Sequence, residues 1–135
     1  MIKVIMGSKG TGKTKRLIDL ANTSATEGLG DVVYIDSDNH HIYDLNHKIR
    51  FIDTSQFAID QFCVFYGFIC GIISEDFDIS NIYIDGVFEI VDESMEFLEE
   101  FLNNVKKVAD QFNISVVMTI TGDPNEAPEF IKEYI

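Results

Sequence analysis

Hydrophobic residues in this chain alternate between short runs rich in β-branched residues and longer amphipathic stretches. The short runs predict five strands, at residues 2–6, 32–36, 49–53, 81–85 and 114–120. The stretches between them predict four helices, at residues 12–26, from a cap at Thr54 or Ser55 to residue 73, at 92–112 and at 126–134. This alternation is typical of βαβ units, so we expect an α/β fold with a mostly parallel five-stranded sheet.

The length of the chain limits how many functions it can hold. Its 135 residues are about the size of one domain. No linker, low-complexity segment or internal repeat interrupts the pattern, so we expect residues 1–135 to form a single domain. One site should then carry the function.

A glycine-rich stretch, GSKGTGKT, occupies residues 7–14, where the first predicted strand ends and a helix begins. It matches the spacing G-x-x-x-x-G-K-[ST] in the strand, loop and helix order that a phosphate-binding loop requires. Glycines let the backbone approach phosphate oxygens, and successive N–H groups at the helix start face the anion. The alternative is a glycine-rich turn before a capped helix. The predicted nucleotide-binding residues are Gly7, Ser8, Lys9, Gly10, Thr11, Gly12, Lys13 and Thr14.

Three side chains of this loop have separate expected roles. Lys13 would reach the β- and γ-phosphates of ATP, and the Thr14 hydroxyl would bind Mg²⁺. Lys9 is expected to face solvent or to make a loose phosphate contact.

A second metal-binding group is predicted at the end of the fourth strand. Residues 82–85 read IYID, a hydrophobic strand that ends in Asp85, which would hold a magnesium-bound water. Carboxylate and hydroxyl oxygens are the ligands that Mg²⁺ prefers. The alternative is an ordinary Asp-Gly turn. Because Gly86 follows Asp85 where a glutamate could have activated water, the catalytic base must come from elsewhere or be missing.

The order of these elements resembles the RecA-like core of P-loop NTPases. That core has a phosphate-loop strand, a helix, a strand ending in D-x-E, a short edge strand, a second helix, a metal-binding strand and a last strand with a polar sensor. The resemblance implies a three-layer α/β/α fold with strand order 3-2-4-5-1. In YIDSDN, Asp38 falls on the position of the catalytic glutamate, so the candidate catalytic residues are Lys13 and Asp38, with Asp36 as a competitor for the base. Thr119 or Thr121 falls on the sensor position.

Several family features are missing from this chain. There is no basic cluster after the metal-binding strand, as in DNA-binding recombinases and helicases, no cysteine-ligated zinc ribbon, as in thymidine kinases, and no N-K-x-D guanine signature. The chain is also similar to small bacterial P-loop proteins labelled as twitching-motility (PilT-like) proteins, although it lacks room for the extra domain of such a motor.

Net charge limits the classes of partner. The chain has a net charge of −13 with only two arginines, Arg16 and Arg50, which argues against binding to nucleic acid or to anionic lipid. No run of residues is long enough for a membrane span, and no signal peptide precedes the glycine-rich loop, so the expected location is cytoplasmic. Cys63 and Cys70, seven residues apart in a predicted helix, are expected to be reduced and buried.

The helix that contains FCVFYGFICGII is apolar on nearly every side. Gly67 and Gly71 form a GxxxG spacing within it. We expect a buried crossover helix whose glycines approach the sheet closely, and the alternative is a face for a homo-oligomer or another protein partner.

These observations predict a small cytosolic P-loop protein that binds Mg-ATP and hydrolyses it slowly. The main alternative is a nucleotide-binding regulatory or scaffold module without appreciable turnover. A small-molecule phosphotransferase would need a lid with phosphate-binding arginines, and the sequence offers none.

Overall fold

The computed structural model describes all residues from 1 to 135 and contains five strands and five α-helices. The strands are β1 (Ile2–Gly7), β2 (Asp31–Asp36), β3 (Arg50–Asp53), β4 (Ile79–Ile84) and β5 (Ser115–Thr121). The helices are α1 (Lys13–Glu27), α2 (Phe62–Glu75), α3 (Val87–Ile90), α4 (Leu98–Phe112) and α5 (Glu129–Lys132). Single 3₁₀ turns lie at Ile42–Asp44, Thr54–Gln56, Met95–Phe97 and Pro124–Glu126.

All five strands pair in parallel in one sheet. The order along the sheet is β1-β5-β4-β2-β3, which is 3-2-4-5-1 when it is counted from the β3 edge. Each strand therefore has the neighbours expected from the sequence. Since parallel strands share one direction, the carboxyl ends of β1, β5, β4 and β2 lie side by side at one edge of the sheet.

Helices cover both faces of the sheet, as the α/β pattern requires. On one face, the larger part of the core joins sheet residues such as Val33 and Ile35 to α2 and α4. On the other face, Val32 and Tyr34 pack against α1. Successive side chains of β2 thus alternate between two buried faces, which explains why its sequence is a continuous apolar run.

Helix α2 begins later than the sequence predicts. The Asp53 carboxylate accepts a hydrogen bond from the backbone N–H of Ser55 and caps only a 3₁₀ turn at Thr54–Gln56, after which the chain is extended. The helix begins at Phe62, whose backbone N–H donates to the Glu93 carboxylate. Because Glu93 lies 31 residues further along the chain, no local pattern marks this start.

The predicted helix at residues 92–112 is also shorter than expected. Its regular part is α4, from Leu98, and a 3₁₀ turn at Met95–Phe97 precedes it. The last predicted helix, at residues 126–134, is reduced to α5. Apolar periodicity located both elements, but their first turns lack the capping side chains that would extend them.

The glycines of α2 do not approach the sheet. Gly67 and Gly71 are both exposed, and a Cβ added to either one would meet no atom within 4 Å. The seam of α2 that packs on the core is formed by Phe62, Phe65, Ile69 and Ile73. Cys63 is exposed rather than buried, Cys70 is half-buried, and both are free thiols.

The helices are also too short or too polar to span a bilayer. The longest, α1 and α4, have 15 residues each, and none combines the length and apolarity of a membrane-crossing segment.

Candidate functional site

The glycine-rich loop connects β1 to α1 and is closed by its own hydrogen bonds. The Thr11 hydroxyl donates to the Ser8 carbonyl at 2.7 Å, and Lys13 Nζ donates to the same carbonyl at 3.1 Å. Gly10 and Gly12 have φ of +84° and +85°, in the left-handed region that glycine adopts without strain. The path of the loop therefore depends on glycine at these two positions.

The start of α1 is open to an anion. Gly12 occupies the cap position, no side chain caps the helix, and no acidic residue lies in its first turn. The first N–H groups of a helix have no partner within the helix, and they carry the positive end of its dipole. This helix start can therefore donate several hydrogen bonds to a phosphate group.

Asp85 is the centre of a hydroxyl network at the carboxyl end of β4. Its Oδ1 accepts hydrogen bonds from Thr119 Oγ1 at 2.8 Å and from Thr14 Oγ1 at 3.3 Å. Its Oδ2 accepts from the Tyr34 hydroxyl at 3.2 Å. Asp85 is only 7% exposed, so these donors fix the orientation of its carboxylate.

Thr119 joins this network to the backbone. Besides donating to Asp85, its hydroxyl oxygen accepts a hydrogen bond from the Gly86 N–H at 2.7 Å. Its proton and one of its two acceptor positions are therefore used within the network, while Thr119 itself lines the cavity. Thr121, the other candidate for the sensor position, is exposed at the rim of the same cavity.

Asp36 ends β2 directly beside Asp85. The two strands align Ile35 with Ile84, and the Asp85 N–H donates to the Ile35 carbonyl at 2.8 Å. Asp36 is 6% exposed, and its Oδ1 accepts from the Ser37 N–H at 2.7 Å. Burial, followed by the negative charge of Asp85, raises the pKa of Asp36 to about 7.

Asp38 lies in the loop after β2, and it is less constrained. Its carboxylate accepts a hydrogen bond from the His40 N–H at 3.0 Å, lies 3.6 Å from His40 Nδ1 and remains 47% exposed. The structure therefore brings Asp38 to the candidate site, with part of its carboxylate open to solvent.

A cavity of about 500 Å³ joins these groups, and no hydrophobic side chain lines it. Such a lining suits a strongly polar ligand. Of the residues predicted from the sequence, Lys9, Gly10, Gly12, Lys13, Thr14, Asp38 and Asp85 line the cavity. Gly7, Ser8 and Thr11 do not line it, but they form the closed turn behind it.

The donor chemistry of the cavity fits Mg²⁺. Thr14 offers a hydroxyl, while Asp36 and Asp85 offer carboxylates, and hard oxygen ligands of this kind suit that ion. The three histidines, His40, His41 and His47, offer fewer candidate metal ligands. His41 lines the cavity but has Asp44 at 3.1 Å, and His47 lies outside it.

Two residues of the site gave no readable signal in the sequence. Tyr34 is buried within an apolar strand, where it reads as core, and burial followed by the charge of Asp85 raises its pKa, so the phenol keeps its proton as a donor. Glu89 lines the cavity from α3, and a Cβ on Gly86 would lie 2.7 Å from its Oε2. A carboxylate four residues after Asp85 matches none of the sequence motifs that predicted the site.

Comparison with known proteins adds no family: the chain matches no protein-family model and no curated protein. Its function must therefore be inferred from the residues of the site.

Proposed function

We propose that this protein is a small P-loop NTPase with a RecA-like core, which binds Mg-ATP and hydrolyses it slowly. The observation that carries the proposal is the convergence of Lys13, Thr14 and Asp85 in one cavity that no hydrophobic side chain lines, with the Thr14 hydroxyl 3.3 Å from the Asp85 carboxylate. The open start of α1 supports it, since its free N–H groups face the same loop.

Each group of the loop has a definite task in this proposal. The backbone N–H groups at residues 10–14 and the Lys13 ammonium would hold the phosphate oxygens. Lys13 must first leave the Ser8 carbonyl, which it contacts at 3.1 Å. Thr14 and Asp85 would hold Mg²⁺, whose charge neutralises the phosphate oxygens during transfer.

Slow turnover is expected because the site has one candidate base and no arginine to stabilise the transition state. Asp38 is the proposed general base because its half-exposed carboxylate lines the cavity and can meet a water molecule there. No arginine lines the cavity, so the transition-state charge would rest on the lysines and the metal.

A second function, a nucleotide-dependent regulatory module without appreciable turnover, is favoured by one observation. The Asp38 carboxylate lies in a loop, and Oδ1 accepts a hydrogen bond from the His40 N–H at 3.0 Å. If this contact keeps Asp38 away from the attacking water, a bound nucleotide would remain intact.

Nucleotide binding is the first test of both functions. A fluorescent ATP analogue with Mg²⁺ should bind the wild type, and Lys13→Ala should weaken binding at least about tenfold because charge-assisted hydrogen bonds to phosphate are lost. Lys107→Ala is the matched control, since Lys107 is exposed on α4 outside the cavity. Absence of binding by the wild type would overturn both functions.

Phosphate release then separates the two. In the proposed NTPase, Asp38→Asn should retain the nucleotide and lose about a hundredfold in release rate, the smaller end of what a general base contributes. If the wild type binds ATP and releases no phosphate, the regulatory module is the correct interpretation.

A further inference from the structure

Asp36 and Asp85 are two buried carboxylates on adjacent strands with no positive group beside them. They are 6% and 7% exposed, respectively. No lysine, arginine or histidine lies within ion-pair distance of either one. Lys13 lines the same cavity, but its ammonium contacts the Ser8 carbonyl.

Two ionised carboxylates buried side by side destabilise the folded protein. An ionised carboxylate taken out of water without a counter-charge destabilises the folded protein, and a like charge beside it adds to that destabilisation. Asp38 adds a further negative charge. His41 offsets it only in part, since its influence on Asp36 is the smallest among these neighbours and its ring nitrogen contacts Asp44 at 3.1 Å. The pair therefore favours the binding of a cation or a proton.

The oxygens of the pair still have capacity to bind. An ionised carboxylate has about four acceptor positions; Asp85 uses three of them and Asp36 uses one, for the Ser37 N–H. No fully buried polar side-chain atom in the protein lacks a partner, so the second oxygen of Asp36 opens to the cavity it lines. This free oxygen belongs to a side chain that is more than nine-tenths buried.

The cation that the pair attracts could be a metal ion or an organic ammonium group, and the oxygen ligands of the site favour a divalent metal ion. Asp36, Asp85 and the Thr14 hydroxyl are all hard oxygen donors that line the cavity. The two carboxylates lie at the ends of β2 and β4, where the backbones are hydrogen-bonded to each other, and Thr14 lies in the first turn of α1. Mg²⁺ and Mn²⁺ bind oxygen ligands of this kind.

We propose that Asp36 and Asp85 together form a divalent-cation site that fills before the nucleotide binds. The inference rests on the proposed function for the identity of the cation, and it deepens that function by adding Asp36 as a ligand. Thr14 is the third protein ligand, once its hydroxyl turns from Asp85 to the ion. The cavity would then receive ATP with its metal already in place.

Binding of Mn²⁺ alone, followed by the loss of its free paramagnetic resonance signal, tests this site. The wild type should bind the ion without nucleotide, and Asp36→Asn and Asp85→Asn should each weaken binding at least about tenfold, the minimum expected even for an outer-shell partner. Asp92→Asn should bind as the wild type does, since Asp92 is an exposed carboxylate outside the cavity and its change removes the same charge.

A thermal melt provides a second readout that does not depend on the resonance signal. Mn²⁺ should raise the melting temperature of the wild type and of Asp92→Asn, and it should not raise that of Asp36→Asn. Melting without the ion also shows whether Asp36→Asn is folded.

Two results would overturn the inference: unchanged Mn²⁺ affinity in folded Asp36→Asn, or no binding of Mn²⁺ alone by the wild type. Both can be told from a failure of the proposed function, which is measured separately with the fluorescent ATP analogue. If the analogue binds and Mn²⁺ alone does not, the function stands and the preformed site is wrong. If Mn²⁺ binds through Asp36 and the analogue does not bind, the preformed cation site stands and the proposed nucleotide-binding function is wrong.

Discussion

The two ends of the sheet both carry clustered carboxylates, but they differ in burial and in the groups that face them. At the carboxyl end, Asp36 and Asp85 are buried, and three side-chain hydroxyls converge on Asp85. At the amino end, the ligand oxygens of Asp31, Asp76 and Asp78 lie within 4.8 Å of one another, yet the first and last of these residues are exposed.

The difference shows that proximity of carboxylates does not by itself make a site. At the amino end, water solvates the charges, and Asp76 is occupied in accepting the Asp78 N–H at 2.8 Å. At the carboxyl end, the core excludes water, so a buried charge must find a hydrogen-bond donor, a proton or a cation. Four substitutions, in order of decreasing expected effect, measure how much more the buried carboxylates affect stability than the solvated ones.

Asp36→Asn tests the cost of the buried charge. The pKa of Asp36 is raised from its ordinary 3.8 to about 7, so the folded protein binds this proton more tightly than the unfolded chain does. The stability associated with it is fully present below about pH 4 and is lost as the pH rises through about 7. Three pKa units correspond to about 4 kcal/mol. In cation-free buffer, the free energy of unfolding of the wild type should therefore fall by about 4 kcal/mol relative to that of Asp36→Asn between about pH 4 and pH 8.

Urea unfolding at both pH values measures this change. Asp92→Asn is the control and should keep the pH dependence of the wild type, because Asp92 is exposed and lies outside the cavity. Equal pH dependence of the wild type and Asp36→Asn would show that the buried end behaves like the solvated one, and the comparison would fail.

The sequence predicted the frame of the carboxyl end well. Strand periodicity and the spacing of the glycine loop placed Lys13, Thr14 and Asp85 at one edge of a parallel sheet, because the carboxyl ends of parallel strands meet there. The sequence could not show which side chains of neighbouring strands contact each other. Tyr34 was interpreted as a core residue of its strand, and Thr119 was one of two candidates for a polar sensor. Only the register of β2, β4 and β5 shows that both hydroxyls reach Asp85.

Helix boundaries were predicted less well, because they too depend on contacts between residues that are far apart in the sequence. The start of α2 depends on Glu93, which comes from a distant part of the chain, and Gly67 and Gly71 face solvent although their spacing indicated close packing. Apolar residues on every side of α2 left its buried face undetermined. Local patterns therefore specify the five strands and the longer helices, although not the four-residue helix α3, whereas long-range contacts decide where the helices begin and which face is buried.

Thr119→Val tests the network that orients Asp85. Valine keeps the shape but removes a bond to a carboxylate at 2.8 Å and the acceptor of the Gly86 N–H at 2.7 Å. The expected loss in the free energy of unfolding is about 3 kcal/mol. Thr121→Val, two residues along the same strand and exposed, should change it by less than about 0.5 kcal/mol. Similar losses for both variants in chemical denaturation would mean that the hydroxyl network contributes nothing specific.

Tyr34→Phe removes a single donor from the buried carboxylate. The Tyr34 hydroxyl is 3.2 Å from Asp85 Oδ2, and the ring is fully buried, so packing should survive while one hydrogen bond is lost. A loss of about 1.5 kcal/mol is expected. Tyr43→Phe, at a tyrosine that is 97% exposed, is the control and should be neutral. A neutral Tyr34→Phe would show that Oδ2 of Asp85 is satisfied by something other than this phenol.

Asp76→Asn makes the corresponding change at the solvated end, and it should have the smallest effect. A hydrogen bond with Asp76, together with the charge of Asp76, raises the pKa of Asp31, so removing that charge relieves a repulsion that solvent already screens. Asparagine can still accept the Asp78 N–H through its side-chain oxygen. The free energy of unfolding should therefore rise by less than about 1 kcal/mol, and Mn²⁺ affinity should stay at the wild-type value. Loss of Mn²⁺ binding in this variant would place the cation at the amino end and reverse the comparison, because it would mean that exposed carboxylates outcompete a buried pair for the ion.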